Sequence, residues 1–172
     1  MDFSAFGLSA QLLRALEGQG LTAPTPIQTQ AIPEALRGRD VMGLAQTGSG
    51  KTAAFGLPML DALLKEGRKV APRQVRGLVL APTRELARQI HDVLEGLARG
   101  THLKFALVTG GVGFTPQIEK LARGVAVLIA TPGRLLDLAD RRAVDLSTTR
   151  FLVLDEADQM LDMGFIHALR RI

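Results

Sequence analysis

The stretch Ala45-Gln46-Thr47-Gly48-Ser49-Gly50-Lys51-Thr52 follows a short apolar run, Val41-Met42-Gly43-Leu44, and opens a segment with helical periodicity. Two glycines let the backbone turn so that successive N–H groups point inward at an anion, and the following helix adds the positive end of its dipole. Lys51 supplies a mobile charge for the outer phosphates, and the Thr52 hydroxyl is placed to ligand Mg²⁺. With Gln46, Thr47, Gly48, Ser49 and Gly50 as the cradle, the stretch reads as a nucleoside triphosphate site. The general pattern asks for Gly where Ala45 stands. The alternative is an ordinary glycine-rich turn from a strand into a helix.

Working outward, short apolar runs alternate with helical segments. Residues 41–44, 77–81, 104–109, 125–130 and 151–154 read as buried strands, being brief, apolar and bounded by turn residues. Helices are expected over 51–65, 84–97, 116–123 and 134–141, and two more, 9–19 and 26–37, precede the first strand. Such alternation implies an α/β fold whose mostly parallel sheet has helices on both faces, with ligands at the carboxyl ends of the strands. Phe165, Ile166, Leu169 and Ile172 fall at helical spacing with no residue to end the helix, so the chain is expected to continue beyond Ile172.

The 172 residues suit one domain, and no apolar stretch approaches a membrane span. The start, Met1-Asp2-Phe3-Ser4, lacks the basic and apolar parts of a secretory leader. With no cysteine, disulfides and thiolate metal sites are excluded, and a cytoplasmic setting is expected. His91, His102 and His167 have no metal-ligand spacing. The net charge of +4 suits a polyanionic partner, but seven Phe with no Tyr or Trp offer few rings for stacking bases. A nucleic acid would therefore be held by phosphates and sugars, with little sequence preference.

At the other end, Phe151-Leu152-Val153-Leu154 leads into Asp155-Glu156-Ala157-Asp158. An apolar strand delivers two adjacent carboxylates to the sheet edge where the phosphate loop also opens. Asp155 is assigned to hydrated Mg²⁺ beside the phosphates, and Glu156 to orienting and deprotonating the attacking water. The alternative for Asp155 or Asp158 is a helix cap. Pro82-Thr83-Arg84-Glu85 and Thr131-Pro132-Gly133-Arg134 each sit where a strand gives way to a helix. Their backbone N–H groups, hydroxyls and guanidiniums make phosphate sites apart from the cradle. Simple capping by Thr83 and Thr131 is the alternative reading. The flexible Gly110-Gly111 turn is a third such feature.

In order along the chain, these segments resemble the DEAD-box ATP-dependent RNA helicases. Asp155-Glu156-Ala157-Asp158 carries the signature letters, and residues 45–52 are similar to the family's own phosphate-loop variant, which begins with Ala. Gly20-Leu21-Thr22-Ala23-Pro24-Thr25-Pro26-Ile27-Gln28 looks like the glutamine motif, with Phe3 at the place of its upstream aromatic. Pro82-Thr83-Arg84-Glu85-Leu86-Ala87, Gly110-Gly111 and Thr131-Pro132-Gly133-Arg134 resemble three RNA-contacting motifs, and Met160-Leu161-Asp162-Met163-Gly164-Phe165 continues the likeness.

The resemblance implies an N-terminal RecA-like ATP-binding domain over residues 1–172, with a glutamine-motif helical segment at 1–38 and a P-loop core, incomplete at its C-terminal side, at 39–172. It implies ATP with Mg²⁺ as cofactors and RNA as partner. Gln28 would pair with adenine through its donor and acceptor, Phe3 would pack on the base, and Leu21 would replace a ring often found there. The family's Ser-Ala-Thr motif and second RecA-like domain are expected further on. Without the strand ending in Ser-Ala-Thr, the sheet is expected to lack a central member, and the chain by itself to bind nucleotide and RNA weakly without unwinding a duplex. Two alternatives share these motifs: a DNA helicase of the same superfamily, and a non-enzymatic ATP-gated RNA clamp.

Overall fold

The computed structural model describes residues 2–43, 50–67, 69–164 and 170–172. Four strands, β1 (Val75–Leu80), β2 (Phe105–Val108), β3 (Val125–Ala130) and β4 (Phe151–Leu154), form one parallel sheet in the order β2-β3-β1-β4. Register explains its burial. Leu78 lies beside Leu128 and Leu152, and Leu80 beside Ala130 and Leu154, so one row of alternate residues faces one side.

That side carries a core in which Leu78, Leu80, Ala106, Val108 and Leu128 pack with Leu121 of α5 (Phe114–Ala122), Leu135 and Leu138 of α6 (Pro132–Asp140), and Met160 of α7 (Ala157–Asp162). Phe105 belongs to the opposite row, beside Val127, and meets His91 of α4 (Arg84–Leu97) edge to face at 6.4 Å. Helices therefore cover both faces, and β3 is buried at all six positions.

The chain divides into two compact units. One is Lys69–His91 with Leu103–Ile172 and holds the sheet. The other is Met1–Arg68 with Asp92–His102, built from α1 (Ala10–Gly18), α2 (Pro26–Leu36), α3 (Lys51–Glu66) and the last turn of α4. Leu12, Leu16, Ile32, Leu57, Leu60 and Leu94 are fully buried in it. Asp61 of α3, only 1% exposed, accepts hydrogen bonds from Ser9 N (2.8 Å) and Ser9 Oγ (2.7 Å), and its other oxygen pairs with Lys65 Nζ at 2.8 Å. This carboxylate ties the start of α1 to α3.

One predicted strand, 41–44, is not found among the described residues. Residues 41–43 have no regular structure, Val41 is 45% and Met42 92% exposed, and Leu44 lies outside the described residues. A strand exists only as half of a ladder, and among the described residues nothing pairs with 41–43, so the apolar run has no backbone partner to order it. The other four expected strands and six expected helices are present, with ends shifted by no more than two residues. The helical spacing of Phe165, Ile166 and Leu169 lies outside the described residues.

Among the described residues β2 and β4 are the two edges of the sheet, and β4 pairs with β1 alone. Its residues alternate between half-buried and exposed, and Leu152 and Leu154 are 58% and 42% exposed although their row on the inner strands is closed. Among the described residues β4 is therefore a half-covered edge.

Candidate functional site

Lys51 and Thr52 form the first turn of α3, and both are half-buried. Gly50 precedes them in the left-handed region (φ 85°). The conformation calls for glycine, and a Cβ there would also push against Gln28 Nε2 and Thr25 Oγ1. Gln46, Thr47, Gly48 and Ser49 lie outside the described residues.

Gln28 is 5% exposed, and both ends of its amide are engaged. Its Oε1 accepts from Thr25 N at 2.9 Å, completing a capping box at the start of α2, and its Nε2 donates to Gly50 O at 3.0 Å. Thr25-x-x-Gln28 has the local spacing of a capping box; the bond to Gly50 has no such local pattern, because it joins residues 22 apart. Phe3 is buried in a 3-10 turn, Phe3–Phe6, its ring centroid 6.2 Å from that of Phe6. Leu21 is exposed.

In the sheet unit, Asp155 N donates to Leu80 O at 2.9 Å, which carries the β1–β4 ladder one residue past β4 and leaves Asp155 4% exposed at the carboxyl end of the strand. Glu156 follows with φ 54° and ψ 48°. A side chain held in the left-handed region costs about 1–2 kcal/mol relative to ordinary backbone. Such strain collects at functional positions. The turn sets Glu156 as the residue before α7, beyond the buried Asp155.

The three segments expected to meet phosphates lie in this same unit. Thr83 caps α4, its Oγ1 accepting from Leu86 N at 3.2 Å. Thr131 occupies the equivalent place before α6, with Pro132 buried behind it, yet its hydroxyl makes no capping bond. Simple capping therefore accounts for Thr83 and not for Thr131. Arg84 Nη1 donates to Gly110 O at 3.4 Å, and a Cβ on Gly111 (φ 81°) would collide with the same guanidinium. Arg134 Nη1 donates to Val112 O at 2.6 Å and to Gln117 Oε1 at 3.0 Å, with its guanidinium 4.1 Å from the Phe114 ring centroid. Gly133 is exposed between them. Thus Arg84 and Arg134 both grip the Gly110–Val112 turn from either side in sequence.

Gln117 and Phe114 were not singled out in sequence. Phe114, Ile118 and Leu121 form an apolar stripe at helical spacing, and Gln117 falls on that stripe, a polar residue where a core residue is due. That mismatch is the signal that would have found it.

A family model described as DEAD/DEAH box helicase matches residues 25–172. The chain belongs to this family. It is 49% identical over 172 residues to the ATP-dependent rRNA helicase rrp3 of Emericella nidulans, covering 99% of this chain and 36% of that protein. It is 47% identical over 170 residues to the ATP-dependent RNA helicase dbp10 of Aspergillus fumigatus, covering 99% of this chain and 19% of that one. A crystal structure of a DEAD box protein from the hyperthermophile Methanococcus jannaschii superposes with a TM-score of 0.88 at 37% identity, over 99% of this chain and 45% of the other. The fold is that of the RecA-like domain of these helicases. The chain spans about a third or less of the curated relatives' length.

Proposed function

We propose that this chain is the N-terminal RecA-like ATP-binding domain (residues 1–172) of an ATP-dependent RNA helicase, with a glutamine-motif segment at 1–38 and a P-loop core at 39–172. In the whole protein, ATP binding closes two domains over RNA and bends it locally, and hydrolysis releases the clamp. The observation that carries this reading is the buried Asp155 at the end of β4, followed at once by Glu156 in a strained left-handed turn. A structural cap needs no such backbone.

The residues present fit magnesium and a triphosphate. The oxygens of Asp155 and Thr52 are the hard donors Mg²⁺ takes, with phosphate and water completing its shell. At the end of the loop, glycine is demanded at position 50. When bound, Mg²⁺ neutralises charge developing on the phosphates. Lys51 holds the outer phosphates and Thr52 and Asp155 hold the ion. Glu156 orients the attacking water and takes its proton. Gln46, Thr47, Gly48, Ser49 and Gly50 contribute backbone N–H groups. Phe3 and Gln28 serve the base, for which Gln28 must exchange its bond to Gly50 or to Thr25 for bonds to adenine.

Pro82, Thr83, Arg84, Gly110, Gly111, Thr131, Pro132, Gly133 and Arg134 form the RNA track, reading backbone geometry and 2′-hydroxyls without base identity. Among the described residues no helix is long and apolar enough to cross a membrane, and the absence of cysteine supports a cytoplasmic setting. The test is Glu156→Gln in the whole protein. RNA-stimulated ATP hydrolysis should fall by about 10²–10⁴-fold while ATP still binds. Turnover within twofold of the parent would refute the assignment.

A further inference from the structure

Arg134 is held at one edge only. Its Nη1 carries both hydrogen bonds, to Val112 O and Gln117 Oε1, and its plane lies against Phe114, whose ring also meets the Arg141 guanidinium at 3.8 Å. Among the described residues, Nε and Nη2 donate no hydrogen bond. These two N–H groups form the side fork of a guanidinium, the geometry that takes a phosphate with two parallel bonds. What holds Nη1 inward is therefore what presents that fork.

Gln117 supplies the buried half of that hold. It is 6% exposed, and its amide spans two elements: Nε2 donates to Thr109 O at 3.1 Å, at the end of β2, while Oε1 accepts from Arg134 on α6. Thr109 is itself buried. A buried amide with both ends satisfied costs little and is stiff, whereas one left with half its bonds is destabilising. Val112 O offers Arg134 a second acceptor, but it sits on the exposed turn after Gly110-Gly111.

We infer that Gln117 is a positioning residue for RNA binding: it fixes the Gly110–Val112 turn and Arg134 as one rigid edge, with the Nε/Nη2 fork turned to an RNA phosphate. This rests on the RNA reading of the same segment. It also orders the two residues. Arg134 touches the phosphate, and Gln117 acts only through Arg134.

The experiment is a double-mutant cycle on this chain with Gln117→Met, Arg134→Met and both together. Affinity for a labelled oligouridylate is read at low salt, alongside affinity for a fluorescent ADP analogue and the Arg134 Nε–H resonance in ¹⁵N NMR. Met matches Gln in length and keeps the packing. Loss of one charge-assisted phosphate contact is expected to weaken RNA binding about tenfold in Arg134→Met. Gln117→Met should lose about fivefold by the same measure, and the double variant should be no weaker than Arg134→Met.

Nucleotide affinity should stay within about twofold in Gln117→Met, because, among the described residues, Gln117 bonds to Thr109 and Arg134 and to none of those assigned to the nucleotide. In Gln117→Met the Arg134 resonance should move to the bulk arginine position. Effects that multiply in the double variant, or Gln117→Met binding like the parent with the resonance in place, would overturn the inference while leaving the RNA reading intact. A parent chain that binds no oligouridylate, or one indifferent to both Arg84→Ala and Arg134→Met, would overturn the RNA reading and the inference together. If Gln117→Met does not fold, Gln117→Asn, too short to span Thr109 and Arg134, must give the same signature.

Discussion

The amide of Gln28 donates to the carbonyl of Gly50 at 3.0 Å, joining the buried face of α2 to the last residue of the phosphate loop. If Gln28 serves the base as proposed, base recognition and the geometry at Gly50 become one problem. A nucleotide that draws Gln28 to its base takes that amide from Gly50 or from the capping box at Thr25.

Gly50→Ala tests this coupling. The left-handed backbone alone costs about 1–2 kcal/mol for a residue with a Cβ, and the overlap with Gln28 and Thr25 adds to it. The expected outcome is a melting temperature lower by about 3–6 °C, with weakened nucleotide binding. Gln28→Ala should relieve the overlap. In the Gly50→Ala background it should restore part of the melting temperature and none of the adenine selectivity.

Glu156 offers a stability–activity trade. Glu156→Gly removes the left-handed penalty and is expected to stabilise the chain by about 1 kcal/mol, raising the melting temperature by about 2–4 °C. The same change should abolish hydrolysis in the whole protein. A melting temperature at or below the parent's would mean that the turn is not strained.

Asp61 is a lever on the N-terminal segment. Asp61→Ala leaves the N–H and hydroxyl of Ser9 and the ammonium of Lys65 without their carboxylate. Lys65 is more than half exposed, so its share is small. The loss is expected to total about 2 kcal/mol, mostly from the buried hydrogen bonds. Hydrogen exchange should quicken at the Ser9 amide more than at Leu78 in β1. Equal acceleration at both would mean global loosening, with no local role for the carboxylate.

How much of this was legible depends on which interactions are local. Residues 125–130 are apolar at every position, and such a run declares a strand buried on both faces; the structure agrees residue for residue. The start of α4 at Arg84 follows from Thr83 as cap. The run at 41–44 has the same look but no partner strand among the described residues, and no pattern within four residues can report a partner's absence. In the site, Gln28 stood out through the motif it belongs to, while its capping box with Thr25 and its contact to Gly50 came from the structure, the latter because it depends on tertiary packing. Gln117 escaped notice because its partners, Thr109 and Arg134, lie 8 and 17 residues away on other elements.

The edge of β4 makes a further expectation. Leu152 and Leu154 are exposed on a strand that, among the described residues, is paired on one side only. An uncovered apolar edge is a template for pairing with another chain. The chain should self-associate with rising concentration in sedimentation experiments, and Leu152→Lys with Leu154→Lys should suppress it without lowering the melting temperature by more than about 1–2 °C, as expected for exposed positions. A parent that stays monomeric throughout would show that the edge is protected.

The proposal stands or falls on Lys51, Thr52, Asp155 and Glu156 all serving one metal-bound triphosphate. Manganese in place of magnesium tests it directly, because Mn²⁺–ATP broadens the amide resonances of residues close to the ion. The expected result is simultaneous loss of the Lys51, Thr52, Asp155 and Glu156 signals, abolished by excess Mg²⁺–ATP. Broadening at Lys51 and Thr52 with Asp155 and Glu156 untouched would contradict it.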